Sequence, residues 1–466
     1  MSSSTSPLID ASAEPEDNVD STAATNDSTP GPQNAPRQAS LYRAIWRWHF
    51  YAGLIVAPFF FFASATGALY VFSIELSNLF YADKYFVTPT EQMLSYDEQL
   101  AKLKEQAADF TELDGMRVWN DRTRTTHFIA HAFPGGHTAK GQMHRIYYVN
   151  PYTGSLLGSQ LMEHEFFHIV LDLHRSVCAG TFGRLLVELA TSWGIVLVIT
   201  GVYLWWPRKG EWRSGGIFWP RLSAAFYVAL RDLHSIAGIF FAPLAVIVLF
   251  TGLFVSLIWG TGFNWVSMKM EQSLMEFFTH ANSPPASDTV ARLQPVVTAA
   301  LQHSQPGDDL YFQLAEKPEH AHKIYVMYKG DTNTVRGLDI DQYTGNVMST
   351  TTTEQLEPMV RLLAIAVSLH QGKTFGLTSK VIAFVTCLVL MGLSVTGIWM
   401  WWVRRPKGQT GFPSRLPTRI PGWLWCVIAG ISVAFPAVGA SLVVIISVEV
   451  ILSSIRRTRS TGIRKA

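Results

Sequence analysis

Five apolar stretches limit what this chain can become: roughly Phe50–Leu76, Leu185–Trp206, Ile236–Trp259, Val381–Trp402 and Trp423–Leu452. A bilayer core takes about 20 apolar residues per helix. The first four stretches fit one crossing each. The fifth is too long for one crossing and short for two, and Pro436 and Gly439 interrupt it near its middle. Only 15% of the 466 residues are charged, against about 25% in soluble domains. The composition therefore points to a lipid membrane. A net charge of +2 gives no reason to expect nucleic acid as a partner. Cys178, Cys387 and Cys426 form no C-x-x-C pair, which argues against zinc, iron–sulfur, c-type haem and disulfide frameworks. Cys387 and Cys426 read as core residues.

Basic residues set a direction. Arg43 and Arg47 precede the first stretch. Arg208, Lys209, Arg213 and Arg221 fill the link after the second, and Arg404, Arg405, Lys407 and Arg419 the link after the fourth. The positive-inside rule makes these segments cytoplasmic. The basic tail then favours a helical hairpin in the last stretch. The expected division is a disordered cytoplasmic tail (1–40), spans at 41–76, 181–207, 226–260 and 376–403, outer domains at 77–180 and 261–375, and cytoplasmic loops at 208–225 and 404–420. A C-terminal membrane hairpin (421–454) and a basic tail (455–466) complete it. Strand-like runs such as Arg145–Val149 and Lys323–Tyr328 make each outer domain α+β.

The chain repeats itself. His49 is followed by Gly53, Pro58 and Thr66-Gly67; His234 is followed, without a gap, by Gly238, Pro243 and Thr251-Gly252. His174 leads to Phe182-Gly183, Thr200-Gly201 and Trp205-Trp206. His370 leads to Phe375-Gly376, Thr396-Gly397 and Trp401-Trp402, and only the Phe-Gly pair shifts. Asn150-Pro151-Tyr152-Thr153-Gly154 matches Asp341-Gln342-Tyr343-Thr344-Gly345, both reading as tight turns. The expected fold is a mainly α membrane protein with α+β outer domains. A duplicated helix–outer domain–helix unit gives a four-helix core, and the hydrophobic hairpin follows it.

Ionisable groups within membrane helices are costly and invite a functional reading. Two of the four repeated histidines, His49 and His234, fall at inner helix ends; His174 and His370 fall at outer ends. Two pairs at two depths suit two b-type haems (haem b), each held by one axial imidazole from either side of a bundle. Gly53, Gly238, Gly67 and Gly252 would admit the macrocycle, or serve helix packing. Two histidines per depth underfill a zinc or copper site. Glu163-His164-Glu165 and His168 read as an amphipathic helix, with His168 a reserve ligand. His127, His131, His137 and His144 could touch an iron chelate, but read better as a solvated loop around Phe133-Pro134-Gly135-Gly136. Asp172 and Asp232 could orient imidazoles, and Arg175 and Arg231 could neutralise propionates. No nucleotide or flavin motif is present, so electrons would come from a partner protein or a quinol.

The His49 helix start, Leu173-His174-Arg175-Ser176, Leu233-His234-Ser235 and Leu369-His370-Gln371-Gly372, with the Tyr-Thr-Gly turns, resemble the PepSY-associated transmembrane family, often called iron-regulated membrane proteins. The resemblance covers about residues 40–405. It implies a di-haem oxidoreductase of the bacterial inner membrane, with its N-terminus cytoplasmic and its soluble domains periplasmic. It also implies reduction of a ferric siderophore or other iron chelate to Fe(II). A haem-free transporter and a PepSY-type regulatory membrane protein are the alternatives.

Overall fold

The computed structural model describes residues 37–132, 137–138, 141–207, 212, 215–272, 280–283, 292–327, 335–413 and 421–463. Most of the N-terminal tail, the basic residues Arg208, Lys209, Arg213 and Arg419, and the turn Phe133–Gly136 lie outside them.

The elements follow in order as α1 (Arg37–Val71), α2 (Ser73–Phe80), α3 (Ala82–Tyr85), α4 (Tyr96–Gln106), β1 (Leu113–Trp119), β2 (Thr126–His131), β3 (His137–Thr138), β4 (Gly141–Gln142), β5 (His144–Val149), β6 (Leu156–Leu161), α5 (Phe166–Ser176) and α6 (Gly180–Trp205). Then come α7 (Phe226–Leu253), α8 (Ile258–Lys269), α9 (Leu293–Gln302), β7 (Asp309–Gln313), β8 (His322–Met327), β9 (Val335–Ile340), β10 (Val347–Thr351), α10 (Pro358–His370), α11 (Gly376–Arg404), α12 (Gly422–Ala434) and α13 (Pro436–Ile463).

Among the described residues four helices are long and apolar enough to cross a membrane: Leu41–Val71, Gly180–Trp205, Phe226–Leu253 and Gly376–Arg404. Helix α1 packs on α6 and α11, and α7 packs on the same two, so α1 faces α7 across the bundle and α6 faces α11. The fifth apolar stretch is two helices broken at Phe435-Pro436. Proline supplies no N–H to continue the ladder, and the chain bends there until Ser432 and Gly439 touch. Trp193 donates to the Ser441 hydroxyl at 3.0 Å and Trp259 to the Ala434 carbonyl at 3.1 Å, tying this segment to the bundle. Cys426, expected in the core, is exposed on α12, whereas Cys387 is buried.

The two outer segments share one sheet. Its order is β10-β9-β8-β7-β1-β2-β5-β6, antiparallel throughout, and the β1–β7 pair joins the segments. Strand residues alternate between faces. Met116, Val118, Phe128, Tyr147, Leu310, Phe312, Ile324 and Leu338 form the core with Leu103 of α4 and Val296, Val297 and Ala300 of α9. The two Tyr-Thr-Gly turns are built alike. The Asn150 side chain accepts from the Tyr152 N–H at 2.9 Å, and Asp341 accepts from Tyr343 and Thr344 at 2.9 and 2.7 Å. Gly154 and Gly345 take φ of 72° and 74°, a region that favours glycine.

Candidate functional site

The four repeated histidines lie at two levels of the bundle. His174 and His370, on α5 and α10, sit at the end nearest the sheet, and their ring centroids are 6.0 Å apart. His49 on α1 and His234 on α7 occupy the far end. They line a common cavity of about 480 Å³, within the range of about 300–1,000 Å³ usual for small-molecule sites. At about 1.5 Å of rise per residue, the stretch of α1 from His49 to Gly67 covers about 27 Å, close to the thickness of a bilayer core.

The glycine of each Thr-Gly pair in the sequence repeat lies beside one of these rings. Thr200 Oγ1 lies 2.9 Å from His49 Nδ1, and Thr396 Oγ1 lies 2.9 Å from His234 Nδ1. The two hydroxyls donate their own hydrogens to the Val196 and Gly392 carbonyls, at 2.8 and 2.7 Å. They must therefore accept, and the imidazoles donate from Nδ1. At the sheet end the acceptors are carbonyls. His174 Nδ1 donates to Ala63 O at 2.9 Å, with Thr66 Oγ1 at 3.1 Å, and His370 Nδ1 donates to Val248 O at 2.9 Å. A hydroxyl with its hydrogen spent and a carbonyl can only accept. All four rings thus keep their hydrogen on Nδ1 and leave the Nε2 lone pair available to a metal, the arrangement metal-binding imidazoles adopt. The glycines make room: a methyl group added at Gly67 or Gly252 would fall 3.2 or 2.9 Å from Cε1 of His174 or His370.

The connectivity is crossed. Within residues 37–205, α6 orients the His49 ring and α1 orients the His174 ring. Within residues 226–404, α11 orients His234 and α7 orients His370. Each facing pair, however, takes one ring from each of these stretches. A metal atom between two imidazole nitrogens at about 2.0–2.1 Å each, with about 1.1 Å from nitrogen to ring centre, sets the centroids about 6.3 Å apart. The 6.0 Å spacing of His174 and His370 matches that distance. Among the described residues no group of three or more His, Cys, Asp or Glu forms a metal cage. The far cavity has apolar walls, Phe60, Leu197, Val198, Leu390 and Leu393, with Gly53, Gly194 and Gly238 giving depth and Arg231 and Arg404 among its lining.

Other sequence candidates resolve differently. Asp172 and Asp232 do not orient imidazoles, because nearer cations and donors claim them. Asp232, fully buried, accepts from Arg221 and Arg231 at 2.8 Å each, and Asp172 accepts from the Ser176 hydroxyl at 2.7 Å and faces Arg175 at 3.7 Å. Glu165 caps α5 through the His168 N–H. His127, His131 and His144 are strand residues, not a solvated loop, since alternation places them on the paired β2 and β5. His127 is buried among Tyr85, Trp119 and Tyr148, and burial, then Arg117 and Arg124, pushes its pKa well below the ordinary histidine value. His137 falls in β3, and its side chain lies outside the described residues.

Two groups escaped the sequence reading. Glu188, buried in α6, accepts from the Ile258 and Trp259 N–H groups at 2.7 and 2.9 Å and so caps α8. On the sheet face opposite the core, the register sets Gly158, Tyr148, His127, Arg117, Tyr311, Tyr325 and Gly337 in one row. Arg117, at its centre, is bound by Asp309 through Nε at 2.8 Å and a second contact through Nη2. Arg117 also acts electrostatically on Tyr70 of α1 and on Lys373, just beyond His370, so this face of the sheet looks onto the bundle end. Burial, then Lys380 and Arg117, lowers the Lys373 pKa.

Fold and site together define a multi-span membrane protein whose bundle carries facing imidazole pairs beneath an outer antiparallel sheet. The PepSY-associated TM region matches residues 46–404, and the chain belongs to that family. No curated protein matches it significantly.

Proposed function

We propose that the protein is a transmembrane electron conduit that reduces a ferric chelate, of the ferric siderophore class, at its sheet side. Two b-type haems would be held, one by His49 and His234 and the other by His174 and His370. The observation that carries this reading is the set of four imidazoles, each with Nδ1 tied off and Nε2 left free, in facing pairs at two depths. Bound there, haem iron supplies one-electron exchange between Fe(III) and Fe(II). The apolar walls keep water from the far site, and Arg231 and Arg404 offer charge to propionates.

The chain's own charges support a direction. Arg43, Arg47, Arg404, Arg405 and Lys407 belong to the far end, which the positive-inside rule assigns to the cytoplasm. The sheet is then periplasmic in a bacterial inner membrane. A cytoplasmic protein or a quinol would donate electrons near His49 and His234. The repeated Thr-Gly cradles support duplication of a helix–outer segment–helix unit. At the outer end Lys373 and the Arg117–Asp309 ion pair lie between sheet and bundle, and Tyr311 and Tyr325 add half-buried aromatic surface, a set of groups suited to a polar chelate with anionic substituents.

The test is reconstitution into sealed vesicles. With a reductant inside and a ferric chelate plus an Fe(II)-specific dye outside, dye colour should develop only with haem-loaded protein. Chelate uptake without reductant, and no dye response, would contradict the proposal and favour a transporter.

A further inference from the structure

Two levels that look equivalent in the sequence are held differently. At the sheet end each Nδ1–H is received by the main chain, at Ala63 and Val248. A carbonyl stays in place whatever side chain the residue carries. At the far end the His49 Nδ1–H is received by a side chain, Thr200, and the His234 Nδ1–H by Thr396, with the Leu393 carbonyl also contributing. The Thr200 hydroxyl is fixed in turn by Val196 O at 2.8 Å and Leu197 O at 3.1 Å, and that of Thr396 by Gly392 O at 2.7 Å and Leu393 O at 3.2 Å. Thr66 and Thr251 make the same back-bonds to their own helices. Thr66, at 3.1 Å from His174 Nδ1, only supplements the carbonyl beside it.

We infer that Thr200 is the main positioning residue of the far-end centre, fixing the tautomer and electron donation of His49, and that Thr396 does the same for His234 with help from the Leu393 carbonyl. Their counterparts Thr66 and Thr251 are dispensable for the sheet-end centre. This rests on the di-haem reading. Outer partners of metal-bound imidazoles are worth about 10–100-fold in metal affinity or activity. Valine has the shape of threonine but cannot accept. In Thr200→Val the Nδ1–H of His49 would be buried without a partner, the ring would donate less to the metal, and Fe(III) would lose more support than Fe(II).

The test uses full-length, haem-loaded protein and two readouts: haem loss to a scavenging globin, and a redox titration of the visible spectrum. Thr200→Val should speed loss of one of the two haems by about 10–100-fold and raise the potential of that component alone, and Thr396→Val should act on the same component more weakly. Thr200→Ser, which keeps the acceptor, should restore both. Thr66→Val and Thr251→Val should leave both components within a few-fold of wild type. A wild type with two haems whose Thr200→Val and Thr396→Val forms lose them at the native rate would overturn this inference and leave the di-haem reading standing. Equal effects at all four threonines would also overturn it. A wild type without haem would overturn both.

Discussion

The imidazoles of His174 and His370 lie with ring centroids 6.0 Å apart, although each ring is oriented by a different helix. Ala63 of α1 fixes one and Val248 of α7 fixes the other. Facing rings held by opposite walls of a bundle can clasp a metal only if both walls keep their shape, and the glycines beside the rings are the most sensitive part of those walls.

Gly252→Ala should therefore damage the sheet-end centre most. The added methyl would sit 2.9 Å from His370 Cε1, against 3.2 Å from His174 Cε1 in Gly67→Ala, while Gly201→Ala and Gly397→Ala would meet their rings at 3.4 and 3.6 Å, ordinary contact. Haem retention in purified protein should fall by about 10–100-fold in the first, less in the second, and little in the last two.

Arg117 gives a second expectation. Burial opposes its charge, but Asp309 outweighs burial and raises its pKa. Removing one partner of such a part-buried pair leaves the other uncompensated. Arg117→Ala should cost about 1–3 kcal/mol in stability, from the unpaired Asp309. It should also slow reduction of an anionic ferric chelate by about tenfold or more at low salt. A neutral chelate should be affected much less. Initial rates with the two chelates at equal saturation check this.

The outer sheet should lose stability in acid through His322. Its Nδ1 accepts from the Ala315 N–H at 2.9 Å, and burial, then His280, pushes its pKa down to about 4, with Asp341 opposing. The unfolded chain would titrate near 6.5. Between these values the unfolded state binds more protons, so stability is full above about pH 6.5 and falls as pH drops towards 4. The whole window is worth roughly 3 kcal/mol. In His322→Asn, where an amide oxygen can accept from Ala315, thermal unfolding should depend less on pH across that window.

Backbone strain marks the segment after His174. Val177 and Cys178 take φ of 44° and 55°, whereas the chain after His370 turns at Gly372 with φ of 64°. A left-handed conformation costs a side-chain-bearing residue about 1–2 kcal/mol. Val177→Gly should raise the thermal midpoint by a few degrees, corresponding to up to about 1 kcal/mol. An unchanged or lower midpoint in detergent would contradict that account of the turn.

The four spans were legible because a bilayer needs long apolar runs, and the Tyr-Thr-Gly turns because a left-handed position favours glycine. The histidines stood out by their spacing. The use of the Thr-Gly pairs was not legible. Spacing shows that Thr200 follows His174 along one chain direction, but not that it turns to His49 on the neighbouring helix. Nor could a single sequence show β1 pairing with β7, since alternation marks a strand without naming its neighbour. Arg117 gave no signal for the same reason: its importance comes from residues that the sheet register sets beside it.

Haem held by the four imidazoles is read from the reduced-minus-oxidised visible spectrum of wild type beside His49→Ala, His234→Ala, His174→Ala and His370→Ala. Wild type should carry about two b-type haems per chain. His49→Ala and His234→Ala should remove the same spectral component, and His174→Ala and His370→Ala the other. A colourless wild type from haem-replete cells, or four variants with unchanged haem spectra, would contradict haem binding by these imidazoles.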